Sequence, residues 1–351
     1  KPALLKKVSS KPPALLPDPD SILELADAIA GRPGIIVCGE MPATDGLPAA
    51  LTALAAHLHC PIFAEPLSNL RYGPHDRSHL VVRYNAWLAN RAFAAAHQPE
   101  WVLRLGAWPV TRHLQNYITG NEAIQALIEP WPRWTDPSHQ LSHVLRTDPL
   151  AACQALLAAR PIPGPAGWLA NFMEQDSSVS ASDGSAHIVE LLAALPDGMP
   201  LFVGNSLVIR QLDRASGTAD KQVAFYGNRG ASGIDGNIST ALGIAAVHGR
   251  VVALIGDLTC QHDLGGLALA GGKNAIIVVI NNGGGGIFDL LPQARLPEFE
   301  TGWRTPQKIS FEHAAATFGL AYSHVGKGAP LQHAIGKAIA AGGPHLIEIR
   351  V

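Results

Sequence analysis

Short runs of consecutive apolar residues alternate along the chain with longer segments whose apolar positions recur every three or four residues. GIIVCG (34–39), CPIFA (60–64), WVLRL (101–105) and AIQALI (123–128) are of the first kind and read as buried strands. Between them the spacing predicts helices from a cap at Asp20 or Ser21 to Ala30, then over 47–58, 86–97, 109–117 and 149–157. In the first helix, Ile22, Leu25, Ala26 and Ile29 form one apolar side. The rhythm resumes with a helix over 185–195, a strand over 200–205, a helix opening at Ser206 and a strand over 223–226. A helix from Asp235 to His248 follows, then strands at 251–257 and 275–282 joined by a helical crossover. Helix 311–318, strand 321–325, helix 331–341 and strand 345–351 complete the pattern. Apolar strands alternating with helices predict βαβ units, and hence an α/β fold of two doubly wound parallel-sheet domains. RPIPGPAG (160–167) and SSVSASDGS (177–185) break the rhythm with Pro, Gly and Ser. We therefore expect a linker at 1–17, a Rossmann-like domain at 18–160, an interdomain linker at 161–184 and a second domain at 185–351.

Candidate chemistry gathers at strand ends in the second half. Strand 251–257 closes on Gly256-Asp257, and strand 275–282 closes on Asn281-Asn282 before a run of glycines. Two parallel strands joined this way bring both carboxyl ends to one sheet edge, where open α/β sheets bind ligands. A carboxylate and an amide oxygen from Asn281 or Asn282 suit a hard divalent cation such as magnesium holding a diphosphate. The same residues also serve as ordinary turns after strands, and spacing alone does not choose. The loop GNRGASGIDG (227–236) holds one fixed cation, Arg229, and one bulky apolar residue, Ile234. Ser206, at a helix start, can cap that helix or donate to an anion. Arg112, Arg210 and Arg229 stand near strand ends, and the planar guanidinium fork favours an acidic substrate. No Ser-His-Asp or Cys-His order stands out, which points to a cofactor doing the hard chemistry. The first domain lacks a GxGxxG after its opening strand, which argues against a dinucleotide site there.

Composition narrows the partners. Only 15% of residues are charged, against ~25% in ordinary domains, so other subunits are expected to cover part of the surface. A formal net charge of −2 gives no reason to invoke nucleic acid or an anionic membrane. The four cysteines are far apart in sequence and include no CxxC pair, which fits reduced cytoplasmic thiols rather than zinc or disulfides. No apolar run approaches the ~20 residues of a membrane span. The opening stretch, KPALLKKVSSKPPALLP, reads as a linker entered midway, and a fragment of a longer protein is expected.

The Gly256-Asp257 and Asn281-Asn282 pair resembles the diphosphate and magnesium motif of the thiamine diphosphate-dependent decarboxylase and carboligase superfamily. Leu258 stands where that motif usually has glycine, and the segment between the pairs is slightly short. FVGNSLVIR (202–210), GNRGASGIDGNISTALGIA (227–245), NNGGGGIFDLLPQ (281–293) and FEHAAATFGL (311–320) resemble one branch, the carboligases of menaquinone biosynthesis. That resemblance implies a thiamine diphosphate-binding fold for the second domain, with Asp257, Asn282 and the Gly284 carbonyl on magnesium. It further implies Gly256, Leu258 and Thr259 at the diphosphate, Ile234 bending the cofactor, and the Gly233 carbonyl receiving its amino group. Ser206, Arg210, Arg229 and Arg112 would hold substrate carboxylates, and Ile287 and Phe288 would wall the pocket. The implied reaction decarboxylates 2-oxoglutarate and adds the resulting carbanion to isochorismate in a 1,4 sense. Members of the superfamily work as homodimers or homotetramers and take an activating glutamate from an N-terminal pyrimidine-binding domain. No glutamate in this chain stands in a matching context, so the 351 residues are expected to be inactive alone. Other readings are an acetohydroxyacid synthase-like or oxalyl-CoA-type carboligase and a non-catalytic remnant; a nicotinamide- or flavin-binding domain is more distant.

Overall fold

The computed structural model describes residues 15–132, 134–179, 185–326 and 329–351. Residues 1–14 of the expected N-terminal linker, and 180–184 of the expected interdomain linker, lie outside them. In the first half run α1 (Pro19–Ile29), β1 (Gly34–Cys38), α2 (Leu47–Leu58), β2 (Ile62–Ala64), β3 (Leu80–Val81), α3 (Tyr84–Trp87) and α4 (Arg91–Ala96). They are followed by β4 (Trp101–Leu105), α5 (Arg112–Thr119), β5 (Ile124–Ile128), β6 (His143–Leu145), α6 (Pro149–Ala159) and α7 (Trp168–Ser178). The second half contains α8 (Ala186–Ala194), β7 (Met199–Val203), α9 (Leu207–Ala215), β8 (Val223–Gly227), α10 (Asn237–His248), β9 (Val251–Gly256) and α11 (Asp257–His262). Last come β10 (Ala275–Asn281), α12 (Phe311–Thr317), β11 (Ala321–Val325), α13 (Leu331–Ala341) and β12 (His345–Arg350).

Two six-stranded sheets result, ordered β3-β2-β1-β4-β5-β6 and β11-β12-β10-β9-β7-β8, with parallel pairing throughout. Strands such as β1, β4 and β7 are buried at every position, as sheets covered on both faces require. The order reverses between β1 and β4 in the first sheet and between β7 and β9 in the second, and both reversals matter below.

Three local departures from the expected pattern have physical causes. Asp18, rather than Asp20 or Ser21, caps α1 by accepting from the Ser21 N–H, with Pro19 at the first helical position. The expected helix at 86–97 is broken at Leu88–Asn90, where Asn90 turns back to cap α4 through Ala92 N–H. The expected interdomain linker at 161–184 contains a helix, α7, that is part of the first domain's core. Its Phe172 is fully buried among Phe63, Trp87, Phe93 and Trp168, with ring centroids 4.9–6.1 Å away. Its Asp176 accepts from the Val82 and Arg83 N–H groups and the Trp87 indole at 2.7–3.1 Å. The Pro- and Gly-rich stretch before α7 only turns the chain.

One loop after β2 joins the two halves. Arg71, wholly buried, donates from Nε to the Ala64 carbonyl and from Nη1 to the Asp213 carbonyl and Ser216 Oγ. Its Nη2 lies 2.5 Å from Asp213 Oδ1, which also accepts from the Tyr84 hydroxyl. Nearby, Asn69 exchanges side-chain hydrogen bonds with the Phe225 backbone, and Tyr72 bridges to Ala219. If α7 belongs to the first core, Phe172→Ala lowers the unfolding free energy by about 3–5 kcal/mol. Denaturant unfolding measures this, and a loss under about 1 kcal/mol would show α7 to be a loosely attached tether.

Candidate functional site

Ligands of open parallel sheets bind where the strand order reverses, because the chains leaving two neighbouring strands diverge and open a crevice. Leaving β7 the chain passes Gly204-Asn205-Ser206, and leaving β9 it passes Asp257. Asn205, Ser206, Asp257, Leu258, Thr259, Ile234, Asn282, Gly284, Ile287 and Phe288 line one cavity of about 160 Å³ there.

Successive strand residues point to opposite faces, and this separates the two asparagines. Asn281 Nδ2 donates to Glu348 Oε1 at 2.8 Å, and its Oδ1 accepts from the Gly283 N–H at 3.0 Å. That side chain is thus engaged away from the cavity, which Asn281 does not line. Asn282 faces the cavity, and its Oδ1 is buried without a partner. Asp257 Oδ2 accepts from the Gly284 N–H at 2.8 Å and Oδ1 from the Leu258 N–H at 2.9 Å. Burial raises the Asp257 pKa, while those backbone donors pull the other way. The Gly284 carbonyl accepts from Gly286 N–H at 2.9 Å and keeps a second lone pair. Asp257, the orphaned Asn282 Oδ1 and the Gly284 carbonyl are thus an oxygen set suited to a hard cation. Among the described residues no cluster of three or more His, Cys, Asp or Glu could hold a metal elsewhere.

Opposite this set lies the 227–236 loop. Asn205, buried at the end of β7, donates from Nδ2 to the carbonyls of Asn228 (2.8 Å) and Gly233 (2.7 Å). Its Oδ1 accepts from Arg229 Nη1. This amide fixes the loop so that Ile234 lines the cavity beside Asp257. Ser206 adopts φ 70° and ψ −128°, a region that L-residues rarely occupy, and its hydroxyl makes no cap bond. Such strain costs about 1–3 kcal/mol and persists where the surroundings enforce it. Arg210 Nη1, one turn on, donates to the Ser206 carbonyl at 2.6 Å.

The two arginines do not enter the cavity lined by Asp257. Arg210 and Arg229 line a neighbouring one of about 320 Å³ with Glu40, Glu65, Trp108, Gln115 and Ser232. Arg229 turns that way because Asn205 holds its guanidinium at the wall between the cavities and because Glu40 and Glu65 lie beyond. Burial lowers the pKa of both, with the Arg229 charge adding to the effect at Arg210; a guanidinium nevertheless stays protonated. Arg112 corrects the sequence expectation: it is exposed at the start of α5 and lines neither cavity. The buried face of α5 is set by Leu114, Tyr117 and Ile118, which turns Arg112 to solvent. Sequence reasoning missed two contributors, Asn205 as the loop's anchor and Glu65 in the arginine cavity. Both follow buried strands, the position that singled out Asp257.

Residues 213–349 match the family described as thiamine pyrophosphate enzyme, C-terminal TPP binding domain. This half of the chain is therefore a thiamine pyrophosphate enzyme's C-terminal binding domain, and the match takes in Ile234, Asp257 and Asn282 of the cavity but not Asn205 or Ser206. More narrowly, the chain is 58% identical over 345 residues to a 2-succinyl-5-enolpyruvyl-6-hydroxy-3-cyclohexene-1-carboxylate synthase of Dechloromonas aromatica, covering 98% of this chain and 64% of that one. Synthases of the same name from Geobacillus thermodenitrificans and Myxococcus xanthus are each 36% identical, over 92% and 97% of this chain and 57% and 60% of theirs. The chain belongs to this family of synthases, and it spans roughly three fifths of the length of these relatives.

The glycine run separates backbone need from mere space. An added Cβ at Gly284 (φ +141°) would sit 2.3 Å from the Arg304 carbonyl oxygen, whereas one at Gly283 (φ +76°) meets nothing within 4 Å. Gly284→Ala is expected to cost about 2–4 kcal/mol and Gly283→Ala about 1 kcal/mol in unfolding measurements. Equal costs would mean that close approach is not what selects glycine at Gly284.

Proposed function

We propose that this chain supplies the magnesium- and diphosphate-binding half of a thiamine diphosphate-dependent carboligase that decarboxylates 2-oxoglutarate and joins the product to isochorismate. The observation that carries the reading is the unpartnered, buried Asn282 Oδ1 facing Asp257 across a cavity into which Ile234 also projects. A buried amide oxygen left bare is costly, and a cation satisfies it.

In this reading Asp257, Asn282 and the Gly284 carbonyl hold Mg²⁺. Thr259, with the backbone at Gly256 and Leu258, faces the diphosphate. Ile234 would pack against the cofactor, and the Gly233 carbonyl, which accepts from Asn205 Nδ2 at 2.7 Å and more weakly from Asn237 Nδ2 at 3.4 Å, would receive the cofactor's amino group in place of the longer bond. When bound, the coenzyme supplies the electron sink that decarboxylation of a 2-oxo acid needs. The chain's own task is to bind and orient anions and to exclude water. Arg210 and Arg229 donate to neutral oxygens, the Ser206 carbonyl and Asn205 Oδ1, and so keep their charge for substrate carboxylates. The Ser206 hydroxyl, free of any cap bond, adds a donor. Ile287 and Phe288 form the apolar wall, and Phe288 is braced edge-on by Trp303.

The activating glutamate on the pyrimidine side belongs, on the family resemblance, to an N-terminal domain outside these residues, in a cytoplasmic homodimer or homotetramer. Among the described residues no helix is long and apolar enough to cross a membrane.

Calorimetric titration with thiamine diphosphate and Mg²⁺ tests the assignment. Asp257→Ala and Asn282→Ala should each weaken binding by at least about tenfold, since even outer-shell partners of metals matter on that scale. Asn281→Ala should chiefly lower thermal stability, because its partner is Glu348. Undiminished binding by Asn282→Ala would remove the cation from this cavity. With the N-terminal domain present, carbon dioxide release from 2-oxoglutarate rather than pyruvate checks the substrate.

A further inference from the structure

The arginine cavity lies where both sheets present their reversals. Glu40 follows β1 and Trp108 follows β4, flanking the first sheet's switch point, while Arg210 and Arg229 come from the second sheet. Glu65 follows β2 and lines the same space. It is 2% exposed, and its Oε1 accepts from the Val110 N–H at 2.6 Å, which fixes the carboxyl in place. Among the described residues no ion pair joins Glu65 to Arg210 or Arg229, so the cavity keeps the charges apart and leaves room between them. Each carboxyl that is neutral there leaves one guanidinium charge without a local counter-charge.

We propose that Glu65 sets the charge of this cavity, taking up a proton from solvent when a substrate dicarboxylate binds and losing it when the empty cavity meets alkaline solution. This rests on the reading that Arg210 and Arg229 receive substrate carboxylates. The groups facing Glu65 agree with it. Behind it, Asp213 on α9 repels its charged form, and Arg71 and Arg229 favour that form. Tyr84 and Arg210 also feel its charge, and Glu40 shares the cavity wall. Burial dominates, with Asp213 second, and together they push the Glu65 pKa from 4.5 up to about 8. A dianion placed among these groups disfavours ionised Glu65 further, so binding and protonation reinforce each other. Affinity for the dianion is then fully present below the free-state value and falls as the pH rises through it. Glu65 is a positioning residue of charge, acting through the guanidiniums.

The test is calorimetric titration of the cofactor-free chain, in which no reaction occurs, with 2-oxoglutarate from about pH 6 to about pH 9.5. The ligand stays a dianion throughout that range. The wild-type chain should bind on the order of tenfold more weakly at the alkaline end, which corresponds to a shift of one pKa unit on binding. Near pH 8, titrations in buffers of different ionisation enthalpy should reveal uptake of a fraction of a proton per ligand, and near pH 6 none. Glu65→Gln keeps an acceptor for Val110 and should bind with no dependence on pH and no proton uptake. A flat wild-type profile, or an unchanged slope in Glu65→Gln, overturns the role of Glu65; loss of binding at pH 6 in Arg229→Ala would then show that the arginine reading survives. Absence of 2-oxoglutarate binding at every pH, or full binding by both Arg210→Ala and Arg229→Ala, overturns that reading and the inference together.

Discussion

The pairing of Arg71 with Asp213 is the contact on which the relation of the two sheets depends. An arginine with no exposed surface can be tolerated only if its donors are satisfied, and this one reaches two carbonyls, a hydroxyl and a carboxylate. Lysine could not replace it, because a single ammonium cannot span Ala64 on one side and the end of α9 on the other. A buried pair of this kind adds little to net stability, since desolvation offsets the attraction, yet removing one partner costs about 3–5 kcal/mol. Its value is geometric. Asp213 is three residues from Arg210, so the contact that docks the β2 loop on the second sheet also fixes the helix that presents Arg210. Glu65, six residues before Arg71, is held by the same docking.

That arrangement explains why two cavities, rather than one, meet at the interface. Each sheet has its own switch point, and the Arg71 contact sets the first beside the second. Between them stands Asn205, which uses both donors of its amide on the 227–236 loop and its oxygen on Arg229. A loop rich in glycine would otherwise sample many conformations at an entropic cost on ordering. Anchored at Asn228, Arg229 and Gly233, it is ordered before any ligand arrives, which is the condition for tight and specific binding.

Much of the fold was legible in the chain because its strands are buried on both faces and its helices carry apolar stripes, signals confined to short windows. The convergence of Asp257 and Asn282 was legible for the same reason, since parallel strands bring their carboxyl ends together. Spacing alone left Asn281 and Asn282 open and the family resemblance named Asn282; the physical reason, the bond of Asn281 to Glu348 67 residues further on, is visible only in the structure. Helix α7 was hidden by its Pro-, Gly- and Ser-rich flanks, which mark turns but say nothing of the Phe172 cluster between them. Arg112 was misplaced because nearness to a strand end does not fix a helix face. The Arg71–Asp213 contact spans 142 residues and has no periodic signature at all.

Three acceptors in and near the cavity lined by Asp257 are buried without a partner: Asn282 Oδ1, Gln211 Oε1 and Asn237 Oδ1. Gln211 lines the cavity, and Asn237, one residue past the 227–236 loop, donates to the Gly233 carbonyl of that loop. Native interiors leave few such groups, and each costs about 1–3 kcal/mol. Ser206, with its strained backbone, lines the same cavity. Among the described residues three of the ten buried side-chain atoms without a partner thus belong to this region, together with the strain at Ser206. The Arg71 contact and the two apolar sheets stabilise an arrangement that the cavity walls alone would not adopt. A bound cation that satisfied such an acceptor would return part of that free energy as affinity, which is why the unpartnered Asn282 Oδ1, more than the shape of the cavity, carries the reading of what binds there.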